Sequence, residues 1–348
     1  MVRAFITRHS IKPKGEDKES SLYPGISESG VKLARERARD ISGLAEKSES
    51  NSVIFIGGAT DLIRTKSTAR VYGDELKELL KDRKDYIVIT SQDIDTKKYG
   101  ARRIREIVAT IKANPYKKVI IDYPLLLSGL SPVKNGITDK KGSPTPYFTK
   151  LLEKHNNNLY KAIEDWIENK GKLGDLQGPD PAIVAKNYSK AIEKLESFVK
   201  KYVGDRPVTT GLVGHGGEMD VFLTYLAGGG KIDVPAFERI AKESGLIKET
   251  ELVYINFNPG EKTATFSYHG KNYVLEHKGT KKPKLSELEA KVSVAAAILS
   301  FLFSIFFLSS SFTGFTVANL TQITSNWIGA ILFITGIIAS YLYFKAKK

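Results

Sequence analysis

The sequence predicts a layered α/β fold, in which strands that form a central sheet alternate with helices that cover it. Two observations support this prediction: short β-rich runs alternate with amphipathic helical patterns, and a chain of 348 residues with 41% hydrophobic content can bury a sizeable core. The predicted strands cover residues 2–7, 52–56, 86–90, 118–122, 209–213 and 252–256.

The helical patterns lie between these strands. Ser27 is positioned to cap a helix whose apolar residues Val31, Ala34, Ala38, Ile41 and Ala45 recur at helical spacing. A second amphipathic run covers residues 182–202. Residues 263–268 and 273–275 predict a β-hairpin whose turn is formed by residues 269–272.

Residues 122–178 interrupt this alternation and predict an insertion over the sheet. The segment is rich in Pro and Gly around residues 128–146, and it becomes helical over residues 147–169. A connection of this length in a compact domain is often a functional lid, which would place substrate selectivity here. A surface excursion without a role in binding is equally compatible with the pattern.

The amino-acid composition excludes some kinds of catalytic and binding site. The chain has no cysteine, which excludes disulfides, thiolate nucleophiles and cysteine-ligated metals. Its net charge of +14 is spread over lysines that are interleaved with acidic residues, as along residues 32–47, so we interpret it as a solvated surface. No nucleic-acid-binding motif accompanies the charge, and we expect no nucleic-acid partner.

The C-terminal segment differs in composition from the rest of the chain. Residues 292–344 contain no charged residue, and the apolar stretches 292–312 and 327–344 are each about long enough to cross a bilayer. Lysines precede the first stretch and follow the second, which predicts that both flanks face the cytoplasm. A buried hairpin inside a soluble fold is the alternative interpretation.

These patterns predict three parts: a catalytic domain over residues 1–275, a basic linker over 276–291, and a transmembrane helical hairpin over 292–348. The expected location is the cell membrane, crossed twice, with the catalytic domain in the cytoplasm.

Two of the five histidines occupy the same kind of position, directly after a predicted strand. His9 lies in the tripeptide Arg8-His9-Ser10, and His215 lies in Gly214-His215-Gly216. Their equivalent placement predicts one catalytic centre that is assembled from distant segments.

Four short segments in order resemble the histidine phosphatase superfamily, the phosphoglycerate-mutase-like group. Residues 5–10 (FITRHS) resemble its first-strand Arg-His-Gly motif, with Ser10 in place of glycine. Residues 22–34 (LYPGISESGVKLA) are similar to the segment that opens its first helix. Residues 59–69 (ATDLIRTKSTA) resemble its Ser-Ser-x-Leu-x-Arg-Ala-x-x-Thr-Ala phrase, with Arg64, Thr68 and Ala69 in register. Residues 211–223 (GLVGHGGEMDVFL) resemble the strand that delivers its second histidine.

The resemblance implies a three-layer α/β/α sandwich and a phosphatase that hydrolyses phosphate monoesters through a phosphohistidine intermediate. In that chemistry His9 is the nucleophile, Arg8 and Arg64 bind the non-bridging phosphate oxygens, and His215 donates to the transferred group. It needs neither a metal nor a cofactor. The implied substrate is a phosphorylated small molecule or a phosphoprotein.

The general acid is not fixed by the resemblance. Glu218 is a candidate because it follows His215 by three residues, and Glu106 and Asp122 are others. Each of the three could equally be a capping or solvent-facing carboxylate.

Two alternative functions stay open at this point. One is a phosphotransferase of the phosphoglycerate mutase type. The other is a catalytically silent module that uses the arginines to hold a phosphorylated partner at the membrane.

Overall fold

The computed structural model describes residues 2–58, 61–93, 100–123, 127–258, 263–268 and 271–276, together with positions 328, 330, 331 and 334. Met1–His277 form one compact unit, to which the description below refers, and Lys278–Lys348 form a second. Within the second unit, the four described positions are helical.

Strands and helices alternate along most of the described chain. The strands are β1 (Val2–Arg8), β2 (Val53–Gly58), β3 (Tyr86–Ile89), β4 (Lys118–Asp122), β5 (Lys172–Leu173), β6 (Leu176–Gln177), β7 (Val208–Gly214), β8 (Leu252–Asn258), β9 (Thr263–Tyr268) and β10 (Lys271–Glu276). The helices are α1 (Glu28–Lys47), α2 (Ile63–Leu79), α3 (Gly100–Ala113), α4 (Pro146–Lys154), α5 (Leu159–Asn169), α6 (Pro181–Tyr202), α7 (Gly216–Ala227) and α8 (Val234–Ser244).

Eight of these strands form one mixed sheet in the order β10-β9-β8-β1-β7-β2-β4-β3. The five strands β1, β7, β2, β4 and β3 run parallel to one another. The strands β8, β9 and β10 extend the sheet as an antiparallel edge. Since all five parallel strands end at the same edge, the loops that follow them meet there.

Helices cover both faces of the sheet, which confirms the predicted layered α/β architecture. On one face, Phe5 and Ile54 pack with the buried side chains of α1 and α2. On the other face, their neighbours Ile6 and Phe55 pack with α3, α5, α6 and α7. Successive residues of a strand point to opposite faces, so the central strands are apolar throughout because both faces are buried.

The predicted strands and the first helix are confirmed with small changes at their ends. β4 has the predicted bounds, and β1, β2, β7 and β8 each extend by one or two residues. Ser27 is the N-cap of α1 and accepts a hydrogen bond from the Gly30 amide, as the sequence predicts. Helices α2, α3 and α8 were not predicted individually.

The segment predicted to be helical over residues 147–169 is helical, but it is divided into two helices, α4 and α5. Between them, Asn156 and Asn157 both adopt positive φ angles, of 50° and 60°. Consecutive left-handed residues end a right-handed helix, and asparagine tolerates that conformation better than most residues do. Asn158 then caps α5 by accepting from the Lys161 amide.

No helix among the described residues is both long enough and apolar enough to cross a membrane. The predicted spans at residues 292–312 and 327–344 and the predicted linker at residues 276–291 lie outside the described residues, apart from residue 276 and the four helical positions.

The end of β2 lies against the first turn of α2, and Gly58 makes this approach possible. A Cβ atom at Gly58 would overlap the backbone carbonyl of Thr65. Because Arg64 precedes Thr65, the same contact sets the position of Arg64 relative to the sheet.

We expect Gly58→Ala to destabilise the protein by about 1–3 kcal/mol, because the added methyl group must push α2 away from β2. Gly43→Ala is the matched control, since Gly43 lies inside α1 with no atom within 4 Å of the added Cβ. The control should be stabilised by about 0.5–1 kcal/mol through its helix propensity. Urea unfolding curves measure both, and equal stability of the two variants would contradict the tight contact.

Candidate active site

The pairing of β1 with β7 places the two histidines side by side. Arg8 pairs with Gly214 at the end of the parallel ladder, and the His9 amide donates to the Gly214 carbonyl at 3.0 Å. The next residues along the two strands are therefore His9 and His215, whose ring centroids lie 5.1 Å apart. The structure thus joins the two distant segments, as the sequence predicts.

The protonation state of His9 follows from its hydrogen bond. His9 Nδ1 lies 2.7 Å from the Ser10 carbonyl oxygen. A carbonyl can only accept, so Nδ1 carries the proton and Nε2 of the neutral ring keeps its lone pair. Burial lowers the pKa of His9 to about 3, with smaller contributions from Arg64, Arg8 and Lys12. At neutral pH the ring is therefore uncharged, and Nε2 is available as a nucleophile.

His215 has the opposite tautomer. Its Nδ1 lies 3.5 Å from Arg64 Nη2, and because a guanidinium can only donate, Nδ1 accepts and Nε2 carries the proton. Burial, His9 and Arg64 together lower the pKa of His215 well below its usual value, so this ring is also neutral. One histidine thus offers a lone pair and its neighbour an N–H donor.

Three cationic side chains surround His9. Arg8 binds Glu249 at 3.0 Å and the Ile247 carbonyl at 3.3 Å through its terminal nitrogens. Partial burial and the nearby Arg8 lower the pKa of Arg64. Lys12 is the third cation, and its pKa is lowered by desolvation and by the charges of Arg64 and Arg8.

Several buried polar atoms of this cluster have no partner among the described residues. They include Arg8 Nε, Arg64 Nε and His215 Nε2, all of which are donors in the states derived above. A buried donor without a partner costs about 1–3 kcal/mol, so donors that converge beside a lone-pair nitrogen indicate a site for an anion.

The Ser10 hydroxyl forms its hydrogen bond with α1 and not with these donors. Its hydroxyl donates to the Gly30 carbonyl at 2.6 Å, and its amide donates to Thr68 Oγ1 at 3.0 Å. Thr68 in turn donates to the Arg64 carbonyl at 2.8 Å. Serine at this position therefore ties the loop after β1 to α1 and α2, which carries Arg64.

Glu218 lies in the first turn of α7 and is 1% exposed. Burial raises its pKa to about 8, and the charge of Asp61 adds to this shift. The carboxyl group is therefore largely protonated at neutral pH. Its Oε2 has no partner among the described residues, which makes Glu218 a proton donor close to His215.

Asn135 holds the other oxygen of Glu218. Its Nδ2 donates to Glu218 Oε1 at 2.8 Å and to the Gly129 carbonyl at 3.1 Å, and its Oδ1 accepts from Asn187 at 2.8 Å. Because the Gly129 carbonyl can only accept, the orientation of the Asn135 amide is fixed. With Oε1 occupied as an acceptor, the proton of Glu218 resides on Oε2.

The other two acid candidates lie elsewhere. Asp122 is buried at the end of β4, where it accepts from Ser91 at 3.2 Å and packs against Gly73 of α2. Burial raises its pKa to about 7. Glu106 lies in α3, which joins β3 to β4 beyond β2. The structure therefore favours Glu218 among the three.

Sequence reasoning missed Lys12 and Asn135. Lys12 follows Arg8 by four residues, so its nearness to the Arg8-His9 pair was the only available signal. Nothing in the sequence connects Asn135 with Glu218, since 83 residues separate them.

A cavity of about 140 Å³ opens beside His215, Gly217 and Glu218. Its remaining walls come from residues 137–166, within the insertion that the sequence predicts over residues 122–178. The insertion is therefore part of the site and not a remote surface excursion.

The described residues contain no group of three or more His, Asp or Glu side chains arranged to hold a metal ion.

No protein-family model and no curated protein matches the chain. Among solved structures, a mycobacterial glucosyl-3-phosphoglycerate phosphatase is 16% identical over 74% of this chain and 90% of its own, with a TM-score of 0.38. A structure of the same enzyme with VO3 is 14% identical over 77% and 97%, with a TM-score of 0.40. A Mycobacterium tuberculosis open-reading-frame product is 11% identical over 77% and 96%, with a TM-score of 0.37. Likenesses this distant carry no weight for function, which must be inferred from the geometry.

Proposed function

We propose that the protein is a phosphatase of the histidine phosphatase type, with a phosphoglycerate-mutase-like fold, that hydrolyses phosphate monoesters through a phosphohistidine on His9. One observation carries the proposal: a neutral His9 with a free Nε2 lies among unpartnered donors from Arg8, Arg64 and His215. A phosphate monoester is a dianion, and this arrangement offers both a nucleophile for its phosphorus and donors for its oxygens.

In the first step, His9 Nε2 attacks phosphorus, and the P–N bond forms as the bond to the leaving oxygen breaks. Arg8, Arg64 and the His215 Nε2–H bind the non-bridging oxygens, and the two guanidinium groups offset the negative charge. Glu218 gives the proton on Oε2 to the leaving alkoxide and becomes a carboxylate. Lys12 adds positive charge at the edge of the same site.

In the second step, water replaces the product alcohol. The Glu218 carboxylate accepts a proton from the water as its oxygen attacks phosphorus, and the P–N bond breaks. Inorganic phosphate leaves, and His9 and Glu218 return to their starting states. The protonated Glu218 supports this enzymatic reading over a silent phosphate-binding module, because a module that only binds phosphate has no use for a buried acid.

We also propose that the C-terminal segment anchors the domain to a membrane as a two-helix hairpin, with the catalytic domain in the cytoplasm. The uncharged residues 292–344 and their flanking lysines support this part of the proposal.

We expect His9→Ala to abolish phosphate release from p-nitrophenyl phosphate in the presence of a chelator, because His9 is the histidine that lies beside His215 with a free imidazole lone pair in the part of the chain that the structure describes. His155→Gln is the control, since His155 pairs with Asp165 outside the site, and it should retain activity. Wild-type protein quenched in alkali should carry a phosphohistidine at position 9, detectable by mass spectrometry. Activity in a folded His9→Ala protein would exclude His9 as the nucleophile.

The pH dependence of kcat/KM should show the titration of the Glu218 carboxyl group. The carboxyl group holds its proton below a pKa of about 8, so kcat/KM should fall as the pH rises above that value. Glu218→Gln cannot transfer a proton, and kcat/KM should drop by about 10²–10⁴-fold and lose this alkaline limb. Glu168→Gln is the control, because it makes the same substitution at an exposed residue of α5. If the fall in kcat/KM at alkaline pH persists in Glu218→Gln, that fall reports the titration of another group.

The membrane proposal makes a separate prediction. The full chain should float with phosphatidylcholine vesicles in a density gradient and resist extraction by high salt, since burial of apolar helices is not screened by ions. A chain ending at residue 277 should remain in the aqueous fraction with the same kcat/KM. Loss of the full chain from the vesicles at high salt would point to binding by the lysines alone.

A further inference from the structure

The cavity beside the proposed acid has a chemical character that restricts the substrate. Its walls are mostly apolar, formed by Phe148, Leu151, Leu159, Ile163 and Trp166 among others. The one polar atom of Trp166, its indole N–H, already donates to the Pro179 carbonyl at 2.8 Å. The ring of Phe148 packs edge-on against Trp166 with 4.9 Å between ring centroids, which leaves apolar surface facing the cavity.

Three polar atoms in the lining are unsatisfied among the described residues: His215 Nε2, Glu218 Oε2 and Thr138 Oγ1. The first two have roles in the proposed reaction, so among the side chains of the described lining residues the Thr138 hydroxyl is the remaining unpartnered polar group for a leaving group. A sugar carries several hydroxyl groups, each of which would lose its hydrogen bonds to water on entering.

The lining also discriminates by charge. It contains no Lys or Arg in the part of the chain that the structure describes. A carboxylate or a second phosphate on the leaving group would therefore be buried without a counter-charge. This disfavours an acidic substrate of the phosphoglycerate kind, and with it the mutase alternative.

The volume indicates a group that the cavity can accommodate. A cavity of about 140 Å³ is close to the roughly 150 Å³ of an apolar protein cavity that accommodates benzene. One six-membered apolar ring fits this space.

We propose that the site selects phosphate monoesters of alcohols that carry one compact apolar ring, which enters the cavity between α4, α5 and the start of α7. This inference rests on the proposed phosphatase function and specifies its substrate class. The phosphoryl group lies at His9, the ester oxygen lies within reach of Glu218, and the ring contacts Ile163 and Trp166. The ring can belong to a small molecule or to a tyrosine side chain.

Benzyl phosphate and glucose 6-phosphate test this inference as a matched pair. Both are esters of primary alcohols whose ring lies one carbon from the ester oxygen, so their leaving groups have similar basicity. We expect kcat/KM for benzyl phosphate to exceed that for glucose 6-phosphate by about tenfold or more. Phenyl phosphate and a phosphotyrosyl peptide then separate the two sources of the ring, since a small-molecule enzyme would hydrolyse only the former efficiently.

Gly217→Val narrows the cavity without touching the phosphate donors. A Cβ at Gly217 meets Ile163 at an ordinary 3.7 Å, so a side chain is sterically tolerated at this position of the cavity lining. We expect kcat/KM for benzyl phosphate to fall by about tenfold or more, while the inhibition constant of inorganic phosphate changes by less than about twofold. Gly43→Ala, in α1, should leave both quantities unchanged. A variant that has merely misfolded would lose phosphate binding as well.

Failure of this inference is distinguishable from failure of the proposed function. Phosphate release could depend on His9 while glucose 6-phosphate is turned over as well as or better than benzyl phosphate. That result would overturn the proposed substrate class and leave the phosphatase proposal in place. If folded Gly217→Val still prefers benzyl phosphate over glucose 6-phosphate to the same extent, the cavity is not the cause of that preference. Absence of His9-dependent release from p-nitrophenyl phosphate and from both esters would overturn the phosphatase and the inference together.

Discussion

The parallel register between β1 and β7 is the constraint on which the site depends. It pairs Arg8 with Gly214, so His9 and His215 leave the sheet as neighbours. Each of the other groups is positioned relative to that pair: Arg64 by the close contact of α2 with Gly58, and Glu218 by the first turn of α7, which begins directly after His215. A shift of one residue in the register would separate the histidines and turn the strand side chains to the opposite faces of the sheet.

Burial then gives the clustered groups their chemical states. Removal from water disfavours a charged form whatever its sign, so the same environment lowers the pKa of His9 to about 3 and raises that of Glu218 to about 8. The result is a neutral base beside a neutral acid at physiological pH. The arginines add their positive charge on the histidine side, where an anionic phosphoryl group would balance it.

The sequence was sufficient for the parts of this arrangement that depend on local patterns. The strand ends and the Ser27 cap could be predicted because each is encoded within a short segment. The grouping of His9 with His215 and Arg64 was predicted from the equivalent strand-end positions of the two histidines and from the resemblance of four ordered segments to one family. The protonation of Glu218 could not, since it arises from burial and from Asn135, 83 residues away. The break between α4 and α5 was not predicted, although the polar run of residues 153–158 precedes α5 and two left-handed asparagines within it end the first helix.

The insertion after β4 links two properties that the sheet itself does not supply. It provides Asn135, whose hydrogen bond lowers the pKa of Glu218 against the effect of burial, and it provides the apolar walls of the adjoining cavity. In the proposed reaction, groups at the strand ends bind the phosphate. The insertion lines the pocket for the leaving group and, through Asn135, affects the pKa of the proposed proton donor, Glu218. A change in this insertion that alters selectivity is therefore expected to alter the acidity of Glu218 as well, because the two share a scaffold.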